Sequence, residues 1–277
     1  YSSAPVCAPA RYMLLTGQHS GHAFIRGNDE MRSRGKVWDY HEMVKDSTLE
    51  GQRPMPENTK TLAHYLKSAG YQTAMYGKLH FGNNPKGIDD FLILPGQGSY
   101  INPKFLGKEK DTIIEGYVTD VITDLTLDWF KNKRSSDKPF MMMYLHKAPH
   151  RPWWPSPEKF AEFYEKEFPE PVTLFDDYSN RGSAAKAAEM NLLTHMQYMH
   201  DSKVRPSTLE EMGNVTPEIV YYRMDGKEYR PGPGGFNVPF NRGNEEQIAA
   251  YNVTLDKIND DFRKNWPNMN NEEKMRW

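Results

Sequence analysis

A chain of 277 residues with 38% hydrophobic and 26% charged residues carries enough apolar material for one large α/β domain, or one domain and part of another, and wholesale disorder is not expected. Its 35 Lys+Arg stand against 37 Asp+Glu, so no nucleic-acid partner and no polybasic membrane surface is indicated, and no apolar run approaches the ~18 residues of a membrane span. A single cysteine excludes an internal disulfide framework and a cysteine-built zinc site.

In chain order, residues 9–16 read as a short helix, with Pro9 at its first position and Gly17 as its stop. Residues 18–57 are polar and read as a long surface loop. Leu62, Tyr65, Leu66 and Ala69 recur at helical spacing, which predicts an amphipathic helix closed by Gly70. A short strand is expected over 71–76, with Gly77-Lys78-Leu79-His80 at its end. Val118, Val121, Ile122, Leu125 and Trp129 mark a second amphipathic helix, broken by the polar stretch 131–138. The unbroken apolar run 140–145 reads as a strand buried on both faces, with His146 to His150 at its carboxyl end. Helix, strand, helix, strand implies crossover units and a mostly parallel sheet, in which ligands gather at the carboxyl ends of strands. Beyond Pro152 the pattern weakens. Residues 183–200 read as helical, 201–247 as polar and rich in Pro and Gly with a loop at 231–235, and 248–263 as another helix. The acidic doublets Asp89-Asp90 and Asp176-Asp177 read as solvated loops.

Chemistry concentrates in three short segments. In the first, Pro5 to Gly17, Cys7 precedes a helix started by proline and so meets the positive end of a helix dipole, and Arg11 falls one turn later, able to point back at the same spot. This describes a small anion pocket with a reactive group at its floor. The second is Gly70 to His80, where Lys78 and His80 follow a strand. The third is Leu145 to His150, followed by Arg151, Trp153 and Trp154. The tryptophan pair fits either a sugar-stacking surface or a core.

Cys7-x-Pro9-x-Arg11 followed by two apolar residues and Thr16-Gly17 resembles the signature of the formylglycine-dependent type I sulfatases, and Gly77-Lys78-x-His80 resembles that family's second signature. The resemblance implies an α/β, alkaline-phosphatase-like sandwich with a mostly parallel central sheet flanked by helices, present here as an incomplete fragment. It implies that a formylglycine-generating maturation enzyme converts Cys7 to an aldehyde, whose hydrate attacks sulfur. By the same resemblance Arg11 supports that group, Lys78 binds a sulfate oxygen, His80 hydrogen-bonds the diol, and His150 protonates the leaving oxygen. His146, Lys147, Arg151 and Trp153 are candidate substrate-binding residues. Segments 94–103, 116–120 and 146–151 resemble bacterial sulfatases acting on glycan 6-O-sulfates, so a sulfated carbohydrate is the expected substrate, N-acetylglucosamine-6-O-sulfate first.

The family also holds a calcium ion on aspartate pairs and the formylglycine. Only Cys7, once converted, stands for a metal ligand here, and the other ligands are expected outside this chain. The chain opens directly on chemistry and closes on a charged, helix-like stretch, so both ends are expected to be cuts in a longer protein, and the fragment alone is expected to be inactive. Residues 1–200 are expected to be part of the catalytic domain and 201–277 a polar insertion or helical continuation of it. A periplasmic or secreted location follows from the resemblance alone. The competing readings are a phosphoester or phosphonate monoester hydrolase of the same superfamily, and an inactive carbohydrate-binding fragment.

Overall fold

The computed structural model describes residues 2–28, 54–187, 196–213, 221–222, 228–229 and 236–277. The middle of the expected 18–57 loop, the centre of the expected 183–200 helix and the 231–235 loop lie outside the described residues. The chain forms two compact units, Tyr1–Pro149 and His150–Trp277.

The first unit is built on a mixed sheet whose strand order is β4-β3-β2-β1-β5, with β1 at Gln72–Lys78, β2 at Asp90–Leu94, β3 at Lys104–Gly107, β4 at Thr112–Ile113 and β5 at Phe140–Leu145. The strands β2, β1 and β5 are mutually parallel, while β3 and β4 extend the sheet antiparallel. β1 lies between two parallel neighbours and is buried from Thr73 to Lys78, the expected state for the middle of an α/β sheet. The helices α1 (Cys7–Thr16), α2 (Leu62–Ser68) and α3 (Val118–Asp128) accompany it. Tyr12, Met13 and Leu15 of α1 join Met75, Leu79, Phe81, Phe91, Ile93 and Met143 in one apolar core.

Several expectations are met and several corrected. α1 begins at Cys7, two residues before Pro9. Pro9 still falls in the first turn, where a missing N–H breaks no helical bond. Gly17 ends the helix in the left-handed conformation (φ 67°), its N–H bonding Met13 O at 2.8 Å. α3 buries Val118, Val121, Ile122 and then Trp129, as its spacing predicts, and runs on into a π-helical turn over Trp129–Lys133. α2 forms where expected, started by a capping box between Thr61 and His64, but Leu62 and Tyr65 are 45% and 65% exposed and Ala63 is the buried residue. Its small-residue side, not its large apolar stripe, meets the core.

β5 is not buried on both faces. Phe140 and Tyr144 are exposed and only Met143 is fully covered, because among the described strands β5 pairs on one side alone, with β1. Nor is Asp89-Asp90 a solvated loop. Asp89 accepts hydrogen bonds from the backbone N–H (3.1 Å) and hydroxyl (3.0 Å) of Thr73 and pairs with Lys67, while Asp90 accepts one from the Tyr76 hydroxyl at 2.7 Å. Burial raises the Asp89 pKa, but Lys67 and Thr73 outweigh it and hold the carboxyl below its ordinary value. The doublet latches β2 to β1. Asp176 and Asp177 do form a turn, accepting from the N–H groups of Tyr178 (2.9 Å) and Ser179 (2.8 Å); Asp177 is exposed as expected, but the Asp176 side chain is only 14% exposed and pairs with Arg181.

The second unit is organised by the 21-residue helix α8 (Glu245–Asn265), which starts at an Asn244–Gln247 capping box and buries Tyr251, Leu255, Ile258 and Phe262. The expected helix 248–263 is thus longer at both ends. α4 (Pro157–Tyr164) and α7 (Val238–Arg242) pack against it, and the unit also holds the short helices α5 (Ser183–Lys186) and α6 (Pro206–Glu211) and the closing helix α9 (Asn271–Arg276). Residues 196–200 are not helical, so the helical reading of 183–200 fails at that end. Trp154 is the core member of its tryptophan pair, 1% exposed, with its ring edge-on to Phe160, Phe236 and Tyr251. A ribbon of β6 (Tyr221–Tyr222) and β7 (Glu228–Tyr229) completes the described elements.

One contact positions the site. At Gly77 (φ 109°), opposite Leu145, an added Cβ would lie 1.8 Å from the Leu145 carbonyl oxygen. Gly77→Ala is therefore expected to destabilise the first unit by about 3 kcal/mol or more, since neither the left-handed backbone nor the neighbouring carbonyl can accept a methyl group cheaply. Unfolding followed by circular dichroism checks this, and a variant that melts with the wild type would contradict the close approach.

Candidate active site

The carboxyl ends of β2, β1 and β5 lie side by side, and each delivers one part of the site. β1 ends on Lys78, 1% exposed, and continues to His80, 4% exposed, whose backbone is left-handed (φ 66°). β2 runs into a Pro95-Gly96-Gln97-Gly98 turn. β5 runs into His146 and Lys147, the latter 5% exposed. A left-handed non-glycine residue is uncommon and marks His80 as held in place by its surroundings.

Cys7 occupies the first position of α1, where the helix presents N–H groups. Asn28 caps this end from outside, accepting the Ala8 N–H at 3.0 Å. The Lys78 ammonium lies 3.7 Å from Cys7 Sγ. Arg11, one turn along α1, donates from Nε to the Lys78 carbonyl at 3.0 Å and is close enough to Cys7 for the two to interact electrostatically. Lys78 also donates to Gln97 Oε1, and Lys147 donates to the Gln97 carbonyl at 3.0 Å with its ammonium 4.5 Å over the Tyr100 ring. Gln97 therefore receives both lysines, one on its side chain and one on its backbone.

The electrostatics follow from this crowding. Burial lowers the pKa of Arg11, Lys78 and Lys147; Lys147 is pushed down to about 8, with the Lys78 charge as the next cause. Arg11 lowers Lys78 further, while Cys7 acts in the opposite direction on all three. Lys78 touches the sulfur, Arg11 and Lys147 feel the charge of residue 7, and among the described residues no carboxylate contributes to the shifts of Arg11, Lys78 or Lys147. Such an arrangement is short of negative charge, and an anion beside Cys7 would supply it.

The remaining candidates have separate surroundings. The His146 ring packs edge-on to Tyr144 at 4.3 Å, and burial lowers its pKa. His150, Arg151 and Trp153 belong to the second unit. His150 Nδ1 lies 2.6 Å from the Arg151 carbonyl, an oxygen that only accepts, so the proton of that bond sits on Nδ1 and Nε2 is the nitrogen that titrates. Arg151 lies 5.6 Å over the ring of Trp153, which is 39% exposed on a left-handed backbone (φ 50°). Gln97 and Asn28 escape a motif-based reading. The sequence signals for Gln97 are a glycine-flanked turn directly after a strand and its place in the segment that resembles glycan 6-O-sulfatases.

Lys147 offers a direct test of the charge argument. Its pKa of about 8 in the folded chain lies below its ordinary 10.5, so the folded state loses stability to its burial at pH 7, and this loss fades as pH rises from about 8 towards 10.5. Lys147→Met is expected to hold or raise thermal stability at pH 7, by about 1 kcal/mol, while weakening the binding of inorganic sulfate about tenfold. Calorimetric titration with sulfate and a melting curve at pH 7 check both halves. A variant with unaltered sulfate affinity would remove Lys147 from the anion site.

Comparison with known proteins agrees with this geometry. The family model described as Sulfatase matches residues 1–221. The chain is 38% identical over 254 residues to an N-acetylglucosamine-6-O-sulfatase of Bacteroides thetaiotaomicron, covering 91% of this chain and 40% of that protein. It is 27% identical over 185 residues to the N-acetylglucosamine-6-sulfatase of Homo sapiens, covering 61% of this chain and 30% of that protein. A solved structure described as a complex with its substrate D-glucosamine-2-N,6-O-disulfate superposes with a TM-score of 0.71 at 29% identity, over 100% of this chain and 48% of that one. The chain thus spans less than half the length of these relatives. With most of its residues matched by the family model, the chain belongs to the sulfatase family.

Proposed function

We propose that this chain carries the anion-gripping wall of an enzyme that hydrolyses sulfate esters, with the 6-O-sulfate of a glycan amino sugar as substrate. The observation that carries the proposal is a cluster of cations at the amino end of α1: Lys78 lies 3.7 Å from Cys7 Sγ, Arg11 donates to the Lys78 carbonyl, and Lys147 shares Gln97 with Lys78. The names of the relatives support the sugar: both are sulfatases of N-acetylglucosamine 6-sulfate, and the solved neighbour is described with a sulfated glucosamine.

The half-buried position of Cys7, within reach of Lys78 and Arg11, suits a residue converted in place by a formylglycine-generating maturation enzyme. Once converted, residue 7 supplies a hydrated aldehyde as the nucleophile towards sulfur. Lys78 and Lys147 bind sulfate oxygens and withdraw charge as it develops. Arg11 holds the Lys78 carbonyl and the residue 7 side chain in one geometry, and His80, fixed by its left-handed backbone, orients the nucleophilic hydroxyl. His150 acts as general acid through Nε2, its Nδ1 being engaged with the Arg151 carbonyl. His146, Arg151 and Trp153 are proposed sugar-side residues. Among the described residues no group of three or more His, Cys, Asp or Glu is placed to hold a metal ion; residue 7, as formylglycine, is the ligand this chain would offer the calcium of the family, and no step is routed through it. No helix among the described residues is long and apolar enough to cross a membrane; a periplasmic or secreted location accords with a glycan substrate.

Two experiments test the proposal. In the full-length protein Cys7→Ala is expected to abolish sulfate-ester hydrolysis, and the peptide carrying Cys7 should be lighter than the encoded thiol by about 18 Da, since an aldehyde oxygen replaces sulfur and two hydrogens leave. A Cys7→Ala protein retaining a tenth of wild-type turnover would sink the reading. His150→Ala is expected to slow an alkyl sugar sulfate by about 10² to 10⁴ and to spare 4-nitrophenyl sulfate, whose leaving group needs no proton. Equal losses on both substrates would remove His150 from the acid role.

A further inference from the structure

His150 sits on a segment without regular secondary structure, 146–156. An imidazole that must deliver a proton along one direction needs that segment held, and the groups that hold it are ionic and buried. Asp201, its side chain 1% exposed, receives both arms of the Arg151 guanidinium, Nε at 2.8 Å on one oxygen and Nη2 on the other. Lys203, 4% exposed, donates to the carbonyls of Pro152 and His200, and its ammonium lies 4.9 Å over the ring of core Trp154. Segment 197–205 is in turn tied down: Asp201 N–H bonds Gln197 O at 2.7 Å, Val204 N–H bonds Tyr198 O at 2.8 Å, and Asn259 of α8 accepts the Arg205 N–H at 2.7 Å.

We infer that Asp201 and Lys203 are positioning residues for His150. Asp201 grips the side chain of Arg151, Lys203 grips the next carbonyl along, and between them they fix the Arg151 carbonyl that engages His150 Nδ1. The inference rests on the reading of His150 as the general acid. Stability alone does not explain this choice of residues. Apolar side chains filling the same space commonly stabilise as well as a buried ion pair or better, whereas buried ions with forked, directional bonds specify one geometry. Burial pushes the Lys203 ammonium down to about 7 despite Asp201 nearby, a sign of how far it is withdrawn from water. Two left-handed residues, Trp153 (φ 50°) and Lys203 (φ 59°), lie on the two sides of this clamp, and strain of this kind persists where surrounding bonds over-determine the backbone.

The test compares Asp201→Asn and Lys203→Met with His150→Ala in the full-length protein, measuring kcat and KM on an alkyl sugar 6-sulfate and on 4-nitrophenyl sulfate in the same preparations. The ratio of the two turnovers does not depend on the fraction of folded enzyme, so partial unfolding leaves it readable. The expected result is a fall of about tenfold or more in the alkyl-to-aryl ratio for both clamp variants, carried by kcat with KM little changed, in the same direction as His150→Ala. If His150→Ala lowers the ratio and both clamp variants keep the wild-type value, the positioning role is wrong and the acid role of His150 stands. If His150→Ala itself leaves the ratio unchanged, the acid reading fails and the positioning role falls with it. Should both clamp variants lose all aryl activity, Arg151→Lys keeps a charge on Asp201 while breaking the fork, and an unchanged ratio there overturns the inference equally.

Discussion

At Gly77 the central strand passes so close to Leu145 that a single methyl group would sit 1.8 Å from the neighbouring carbonyl oxygen. This approach sets β1 and β5 side by side at their carboxyl ends, and both lysines of the anion pocket hang from those ends, while Cys7 and Arg11 come from α1. Lys78 is the residue after Gly77, and Lys147 lies two residues beyond Leu145. A bulkier residue at 77 would separate the strands just where two lysines must reach one acceptor, Gln97. The glycine in the Gly77-Lys78-x-His80 segment is thus a steric requirement of the sheet before it is a feature of the chemistry.

The pocket built on that contact is unfavourable when empty. Arg11, Lys78 and Lys147 repel one another, and their burial removes the water that would screen them. The fold tolerates this through fixed dipoles: the Gln97 side chain and carbonyl, the Lys78 carbonyl under Arg11, and the Tyr100 ring under Lys147. These partners are neutral, so they hold the cations without cancelling their charge. An anion arriving beside Cys7 meets donors already aimed, and little reorganisation is needed to bind it.

The second unit solves a different problem with similar means. His150 has no strand or helix beneath it, so its direction depends on the neighbouring carbonyl, and that carbonyl depends on Arg151, Asp201 and Lys203. Here a buried carboxylate neutralises the guanidinium it grips, Lys203 is held by two carbonyls and the Trp154 ring, and that ring packs edge-on to Phe160, Phe236 and Tyr251. Opposite charges make a rigid support and like charges make a binding pocket; the chain uses each where that property is needed.

By itself the sequence determined the elements and residues set by near neighbours. The stop at Gly17, the buried stripe of Val118, Val121 and Ile122, a strand leading into Gly77-Lys78, and the cysteine segment with its family are all legible over a dozen residues, because helix periodicity, capping and motif spacing are local. Only the tertiary structure decided what depends on distant partners. Asp89-Asp90 looks solvated until Thr73 and Tyr76 are brought beside it, and the apolar run 140–145 looks doubly buried although the described sheet pairs it on one side. The large apolar residues of α2 turn outward while Ala63 meets the core. Gln97 is an ordinary turn residue until β2 and β5 lie on either side of β1, and Asp201 lies 50 residues from the Arg151 it grips. Hydrogen bonds and ion pairs are short-ranged in space but indifferent to sequence separation, so no local pattern records them.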